Sequence, residues 1–394
     1  MKKEELIKEV LERAVDKIYP SKEALEKALK SGRKLKIYLG VDPTGPHLHL
    51  GHATNLLVLK RLQALGHQII FLIGDFTGRI GDPSDRLAAR KPLTEREVKE
   101  NLKTFKKQAS KIINFSGPNA VVVKFNSAWH SKMTFEDLLK LAQLLTVQQM
   151  IKRDMFQRRL KENKLIGLHE FLYPLMQGYD SVAINVDAEV GGTDQTFNML
   201  VGRDLMKSLK HKEKFVLTTK LLENPKTGKK LMSKSEGGLI NLDDKPKDLF
   251  GKTMALPDEA ITPVSEFSTE MPLREVKQLD EMNPRDSKLK TAFWVVKLCY
   301  SEKEAKKAKE EFLRVFSKKE LPAKIPQLRI KNKELGITDL LIKAGAASKS
   351  EARRLVLQGG VKLNGEAKNN PREKLTLSRG DVLKIGKHRF FKIT

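Results

Sequence analysis

What the chain has little of narrows it before any motif is read. Cys299 is its one cysteine, which excludes an intrachain disulfide and is compatible with a reducing compartment. No run approaches the roughly 18 apolar residues of a membrane helix. The amino terminus, Met1-Lys2-Lys3-Glu4-Glu5, is charged and leads into an amphipathic stretch, not an apolar signal region. The expectation is a soluble, cytoplasmic protein without membrane contact. Acidic residues are scarce beside basic ones: 49 Asp and Glu against 75 Lys and Arg, a net of +26. So large an excess is costly in self-repulsion and points to a polyanionic partner, nucleic acid before an anionic membrane surface. A generally lysine-rich proteome is the bland alternative. There is no internal repeat, no low-complexity tract, and no carboxylate cage of the kind that holds a resident metal. The motifs contain no Ser–His or Cys–His pair to serve as a nucleophile.

What is present suffices for two or three globular cores: 394 residues, 40% hydrophobic and 31% charged. Leu6, Val10, Leu11, Ala14 and Ile18 recur at helical spacing and predict an amphipathic helix ending before Pro20, followed by a short helix over Lys22 to Lys30. Leu35 to Gly40 alternates as a strand, Ala53 to Leu65 has the pattern of a helix closed by Gly66, and Ile69 to Ile73 is a second strand. Together they form one right-handed βαβ unit. Residues 74–86, rich in Gly, Asp and Pro, read as a loop. Thr94-Glu95-Arg96-Glu97 is a capping box opening a long polar helix to about Ile113, and Ala120 to Phe125 predicts a parallel strand covered on both faces. From Thr134 to about Met176 the periodicity is helical. Ser181 to Glu189 and Phe215 to Thr219 predict further strands, with a helix from about Asp194 to Leu209 between them.

The expected architecture is a Rossmann-type, doubly wound parallel α/β sheet over residues 1–223, interrupted by a helical insertion at about 134–176. A basic, mobile loop region at 224–245 follows, then an α-helical domain at 246–316 and a linker at 317–334 carrying Pro322 and Pro326. The last piece, 335–394, predicts a small α+β module of two amphipathic helices and short strands punctuated by Gly365, Gly380 and Gly386. From Leu341 onward it holds 13 Lys or Arg against 4 Asp or Glu, a net of +9.

Two short stretches carry chemistry. Val41-Asp42-Pro43-Thr44-Gly45-Pro46-His47-Leu48-His49-Leu50-Gly51-His52 stands at the carboxyl end of the first parallel strand, where open α/β sheets bind ligands. His49 and His52, three apart at a helix's first turn, face one side, and the free backbone N–H groups there favour an anion. Gly51 lets a flat group lie against the backbone, so the geometry suits a nucleoside triphosphate. A metal site of His47, His49 and His52 is the alternative, but no cysteine is near and the spacings match neither zinc pattern. The second stretch is Met232-Ser233-Lys234-Ser235, on a basic loop whose lysine can neutralise charge building on a leaving pyrophosphate.

Together His49-Leu50-Gly51-His52 and Met232-Ser233-Lys234-Ser235 resemble the paired HIGH and KMSKS motifs of class I aminoacyl-tRNA synthetases. Tyr38 to Thr44, Gly78 to Pro83, Tyr173 to Asp180 and Gly191 to Gln195 are similar in order and spacing to pieces of bacterial tyrosyl-tRNA synthetases. The resemblance covers essentially the whole chain, since the terminal module is similar to the S4-like RNA-binding domain of those enzymes. It implies a tyrosine–tRNA ligase that uses ATP with Mg²⁺, binds tRNA(Tyr) and forms a homodimer with the helical insertion as candidate interface. Tyr38 and Asp180 would hold the substrate phenol, and Asp82, Tyr173 and Gln177 its ammonium. Gln195 would lie near the reacting carboxylate. Thr44, His49 and Lys234 would hold the departing pyrophosphate, with His52 and Gly51 beneath the adenosine. Gly40, Asp42, Gly192, Asp194 and Met232 complete the ATP side, Asp194 on the ribose. The family's second motif begins with lysine where this chain has Leu231; either Lys230 reaches the phosphates by a one-residue shift or that contact is absent. A tryptophanyl-tRNA synthetase shares the fold and both motifs, but Asp180 with Tyr38 favours a phenol. A nucleotidylyltransferase fused to an RNA-binding module would account for His49 and His52 but not for Asp194, Gln195 and Lys234 together. A non-catalytic RNA-binding protein needs only the charge.

Overall fold

The computed structural model describes residues 2–84, 93–232, 238–316, 326–330, 334–386 and 389–394. They form two compact units, Met1–Ala305 and Lys306–Thr394.

The first unit is built on strands β1 (Val15–Tyr19), β2 (Lys36–Val41), β3 (Gln68–Ile73), β4 (Val122–Phe125), β5 (Ala188–Gly192) and β6 (Phe215–Thr219), in the spatial order β1-β6-β5-β2-β3-β4. β2 through β6 pair in parallel, while β1 lies antiparallel on β6. From β2 the chain winds outward through β3 to β4, returns, and winds the other way through β5 to β6. The doubly wound expectation therefore holds, and the direction of winding switches between β2 and β5, where such sheets open a ligand crevice. β3 and β5 are almost wholly buried and accordingly have nearly continuous apolar or glycine sequence. The helix Leu50–Ala64 is apolar around most of its girth because it is covered on more than one side. One cover comes from beyond residue 245: Ser268 Oγ donates to the Leu50 carbonyl at 3.0 Å and lies 3.0 Å from Thr54 Oγ1. The buried Arg13 guanidinium adds bonds to the carbonyls of Glu266, Thr269 and Met271.

Several local expectations are corrected. The first helix, Lys3–Glu12, stops short of Ile18, because Ala14 takes a left-handed φ of 61° and Val15–Tyr19 pairs as an edge strand with β6, about 200 residues away. The polar helix after Thr94 is two, Glu95–Leu102 and Phe105–Ala109, and β4 is a largely exposed edge strand instead of a covered one. The helix Leu168–Ile184 runs through the start of the segment expected as a strand. Asn185, at φ 53°, closes it, so β5 begins only at Ala188.

In the second unit the helices Ile337–Lys343 and Lys349–Leu357 pack on short strands: β7 (Gln327–Leu328), β8 (Glu334–Gly336), β9 (Val361–Leu363), β10 (Glu366–Ala367), β11 (Lys374–Thr376), β12 (Val382–Ile385) and β13 (Arg389–Ile393). They make a five-stranded sheet, β10-β9-β12-β13-β7, and a separate pair, β11-β8. The expected linker thus contributes a strand, since β7 extends the sheet alongside β13. Ile337, Leu340, Leu341, Val356, Leu383 and Ile385 sit in its core. Asn364-Gly365, with φ of 50° and 90°, form the tight turn joining β9 to β10.

Candidate active site

A cavity of about 360 Å³ opens at the carboxyl ends of β2 and β5, at the switch point. Its wall brings together the expected site residues that the structure describes. Tyr38, Gly40, Asp42, Thr44, His49, Gly51 and His52 come from β2 and the turn after it, and Asp82 from the loop beyond β3. Tyr173, Gln177 and Asp180 come from one face of the helix Leu168–Ile184, and Gly192, Asp194, Gln195, Lys230 and Met232 from β5 onward. Lys234 lies outside the described residues.

One end of the cavity is acidic and organised by hydrogen bonds. The buried Asp180 carboxylate accepts from Trp129 Nε1 and His130 Nε2, both at 2.8 Å, and from Asn126 Nδ2 at 3.3 Å. Burial pushes its pKa up and these donors pull it back. Tyr38 is fully buried with its hydroxyl 2.9 Å from Ser181 Oγ. Asp42 accepts from Thr77 Oγ1 at 2.7 Å and from the Tyr173 hydroxyl at 2.9 Å. Burial, with Asp82 and Asp180 nearby, still raises its pKa to about 7. Gly74 makes room for it, since a Cβ there would come within 1.9 Å of Asp42 Oδ1. Gln195 donates to Asp82 at 2.7 Å and Gln177 to Glu189 at 3.1 Å, while Asn198 bonds both glutamines. Such a wall of carboxylates and amides suits a ligand with a cationic head and a hydroxyl.

The other end presents histidines. His49 caps the helix Leu50–Ala64, its Nδ1 accepting from the Gly51 N–H at 3.2 Å, and His52 Nδ1 accepts from the His49 N–H at 3.1 Å. The Leu50 N–H is taken by the Ile240 carbonyl. The backbone donors expected to bind an anion are therefore largely occupied, which corrects that part of the sequence reading. The rings supply the donors instead: with both Nδ1 atoms accepting, each neutral imidazole carries its hydrogen on Nε2. Burial keeps them neutral, holding His49 down to about 4 and His52 well below its ordinary value. On the adjoining wall, Lys230 Nζ lies 3.0 Å from Asp194 Oδ2. Leu231, whose position breaks the lysine-first motif, is 2% exposed, and its N–H bonds the Leu222 carbonyl, so that position is committed to the core.

The sequence reading missed Asn126, Trp129 and His130, which hold Asp180, and Glu189 and Asn198, which hold the glutamines. A positional signal existed for the first three, because they directly follow a parallel strand at its ligand-binding end.

Residues 30–317 match the family model of class I tRNA synthetases (W and Y), and residues 339–383 match the S4 domain. The tyrosine–tRNA ligase of Thermotoga maritima is 43% identical over 100% of this chain and 98% of its own length. The chain belongs to the tyrosine–tRNA ligase family. The member from Moorella thermoacetica is 41% identical over 98% of this chain and 94% of its own. The family's fold recurs at lower identity. A C-terminally truncated mitochondrial tyrosyl-tRNA synthetase of Aspergillus nidulans aligns with a TM-score of 0.67 and 23% identity, covering 79% of this chain and 94% of that one. The tyrosyl-tRNA synthetase of Archaeoglobus fulgidus, complexed with L-tyrosine, aligns with a TM-score of 0.60 and 21% identity over 78% of this chain and 100% of that one.

Proposed function

We propose that the cavity at the switch point activates L-tyrosine with ATP and passes it to the terminal ribose of tRNA(Tyr). The observation that carries this reading is the juxtaposition, in one cavity, of the Tyr38–Asp180 end with the His49–His52 end. The phenol enters the acidic end, where Asp180 accepts its hydrogen. A buried site built to bond a hydroxyl rejects the analogue without one, a discrimination for which the tyrosine enzymes are themselves the standard illustration. Asp82, Tyr173 and Gln177 face the ammonium, and Gln195, bonded to Asp82, lies beside the carboxylate. That carboxylate attacks the α-phosphorus in line; a carboxyl O–P bond forms as the bond to the bridging oxygen of pyrophosphate breaks. Charge accumulates on the departing pyrophosphate. The Nε2–H group of His49, with Thr44 and Lys234, donates to it and costs no proton transfer, while His52 lies with Gly51 beneath the adenosine. Asp194 binds the ribose, exchanging its Lys230 contact for the sugar hydroxyls, while Gly40, Asp42, Gly51, Gly192 and Met232 line the nucleotide's path. Lys230 is then released toward the phosphates.

Mg²⁺ would come with the triphosphate and offset part of the charge that builds on the pyrophosphate. The described residues contain no group of three His, Cys, Asp or Glu suited to a metal, a donor set that favours an ion carried by its ligand. The tRNA binds through the basic second unit and the helices after residue 245, mainly by phosphate contacts. The helical insertion exposes Leu165 at 90%, Leu168 at 78% and Phe135 at 74%, which supports its service as a homodimer interface. No helix among the described residues is long and apolar enough to cross a membrane, and the reducing cytoplasm suits the free Cys299. Pyrophosphate exchange assayed with each of the twenty amino acids tests the reading: exchange should depend on tyrosine alone, and exchange driven best by tryptophan, or by no amino acid, refutes it.

A further inference from the structure

Behind the phenol end of the cavity a lysine is sealed from water. Lys214, immediately before β6, is 0% exposed. Its ammonium has three hydrogens and accepts none. Its three partners are a Glu189 carboxylate oxygen, the Met199 carbonyl at 3.1 Å and Ser181 Oγ at 2.7 Å. Each takes one hydrogen, so Ser181 accepts from the lysine. Ser181 is also 0% exposed, and its own hydrogen faces the Tyr38 hydroxyl at 2.9 Å. Buried hydroxyls donate as well as accept. The direction of the chain is then lysine to serine to tyrosine, and the Tyr38 hydrogen, with the Glu189 carboxylate nearby, can turn to a ligand in the cavity. Gly202 keeps this arrangement possible, since a Cβ there would fall 2.6 Å from Lys214 Nζ and 2.9 Å from Ser181 Oγ.

We propose that Lys214 is a positioning residue for amino-acid selection: through Ser181 it makes the Tyr38 hydroxyl a donor to the phenol oxygen, while Asp180 accepts the phenol hydrogen. The proposal rests on the tyrosine-activation reading above. Substrate tyrosine then meets one donor and one acceptor with fixed polarity, and phenylalanine leaves both without a partner. A lysine that merely neutralised Glu189 in the core would have no bearing on this choice.

Ser181→Ala separates the two roles, because it leaves the Lys214–Glu189 pair in place and interrupts the chain. In tyrosine-dependent pyrophosphate exchange its KM for tyrosine should rise about tenfold, the worth of one hydrogen bond in a binding constant. Its kcat should stay within about threefold, and its preference for tyrosine over phenylalanine should fall by a factor similar to the KM change. Lys214→Met should do the same and add little when combined with Ser181→Ala; if Lys214→Met does not fold, the serine variant decides alone. A folded Ser181→Ala enzyme with unchanged KM and unchanged preference overturns the proposal. Absence of tyrosine-dependent exchange in the unaltered enzyme overturns the functional reading instead.

Discussion

Asp42 sits buried where its charge is least welcome, and replacing it by asparagine should stabilise the enzyme while impairing it. An acid raised from 3.8 to about 7 binds a proton more tightly folded than unfolded. Stability is therefore undiminished below the unfolded value, falls as pH rises through the interval, and reaches its full loss above the folded value. Three pKa units correspond to roughly 4 kcal/mol, of which about 1.5 is already lost at pH 5. Asparagine has no charge to bury. Its oxygen can keep the Thr77 bond, but its amide meets the Tyr173 hydroxyl as a donor, a mismatch costing about 1 kcal/mol at every pH. Asp42→Asn should accordingly be near neutral at pH 5 and more stable than the unaltered enzyme by roughly 3 kcal/mol at pH 8.5. Trp129 and Trp294, the only tryptophans, both lie in the first unit, so urea melts followed by their fluorescence report the right core. A stability difference that does not change between pH 5 and pH 8.5 would refute the reasoning.

Lys234→Ala should slow tyrosine-dependent exchange at least about tenfold with tyrosine affinity nearly intact, and an unchanged exchange rate removes the lysine from the scheme. Nitrogen NMR of the ring signals should find His49 and His52 neutral with Nε2–H from pH 8 down to 5.5; a midpoint above 6 for either ring contradicts the burial argument. Deleting residues 335–394 should spare exchange and cripple tRNA charging, and charging that survives means the second unit is not the anchor for tRNA. Leu165→Asp should shift the sedimenting species toward the mass of one chain, whereas an unchanged mass locates the interface elsewhere.

The legible parts of this molecule were those in which residue type and position carry the chemistry together. The turn after β2 announces itself through Asp42, Thr44, His49 and His52 because a ligand site at a strand's carboxyl end needs those groups within a few residues. Tyr173, Gln177 and Asp180 follow from helical spacing. What stayed hidden depended on partners distant in sequence. Val15–Tyr19 has apolar residues that fit helix or strand, and only β6 decides between them. The segment from Ser181 stays helical because the helix Leu168–Ile184 is buried against the helix Thr196–Lys210, which no local pattern expresses. The donors around Asp180 lie some 50 residues before it. Leu231 departs from its motif because that position faces the core, a fact about packing and not about the motif.

The sheet ends unequally. β1 exposes Asp16 and Lys17 on its edge, whereas β4, the last strand on the other, leaves Val122 at 37% and Phe125 at 45% exposure, and neither has a further strand beside it among the described residues. An uncovered edge with apolar side chains is a template for mispairing with another chain. Activity lost on storage or at high concentration would therefore report solubility before it reports catalysis.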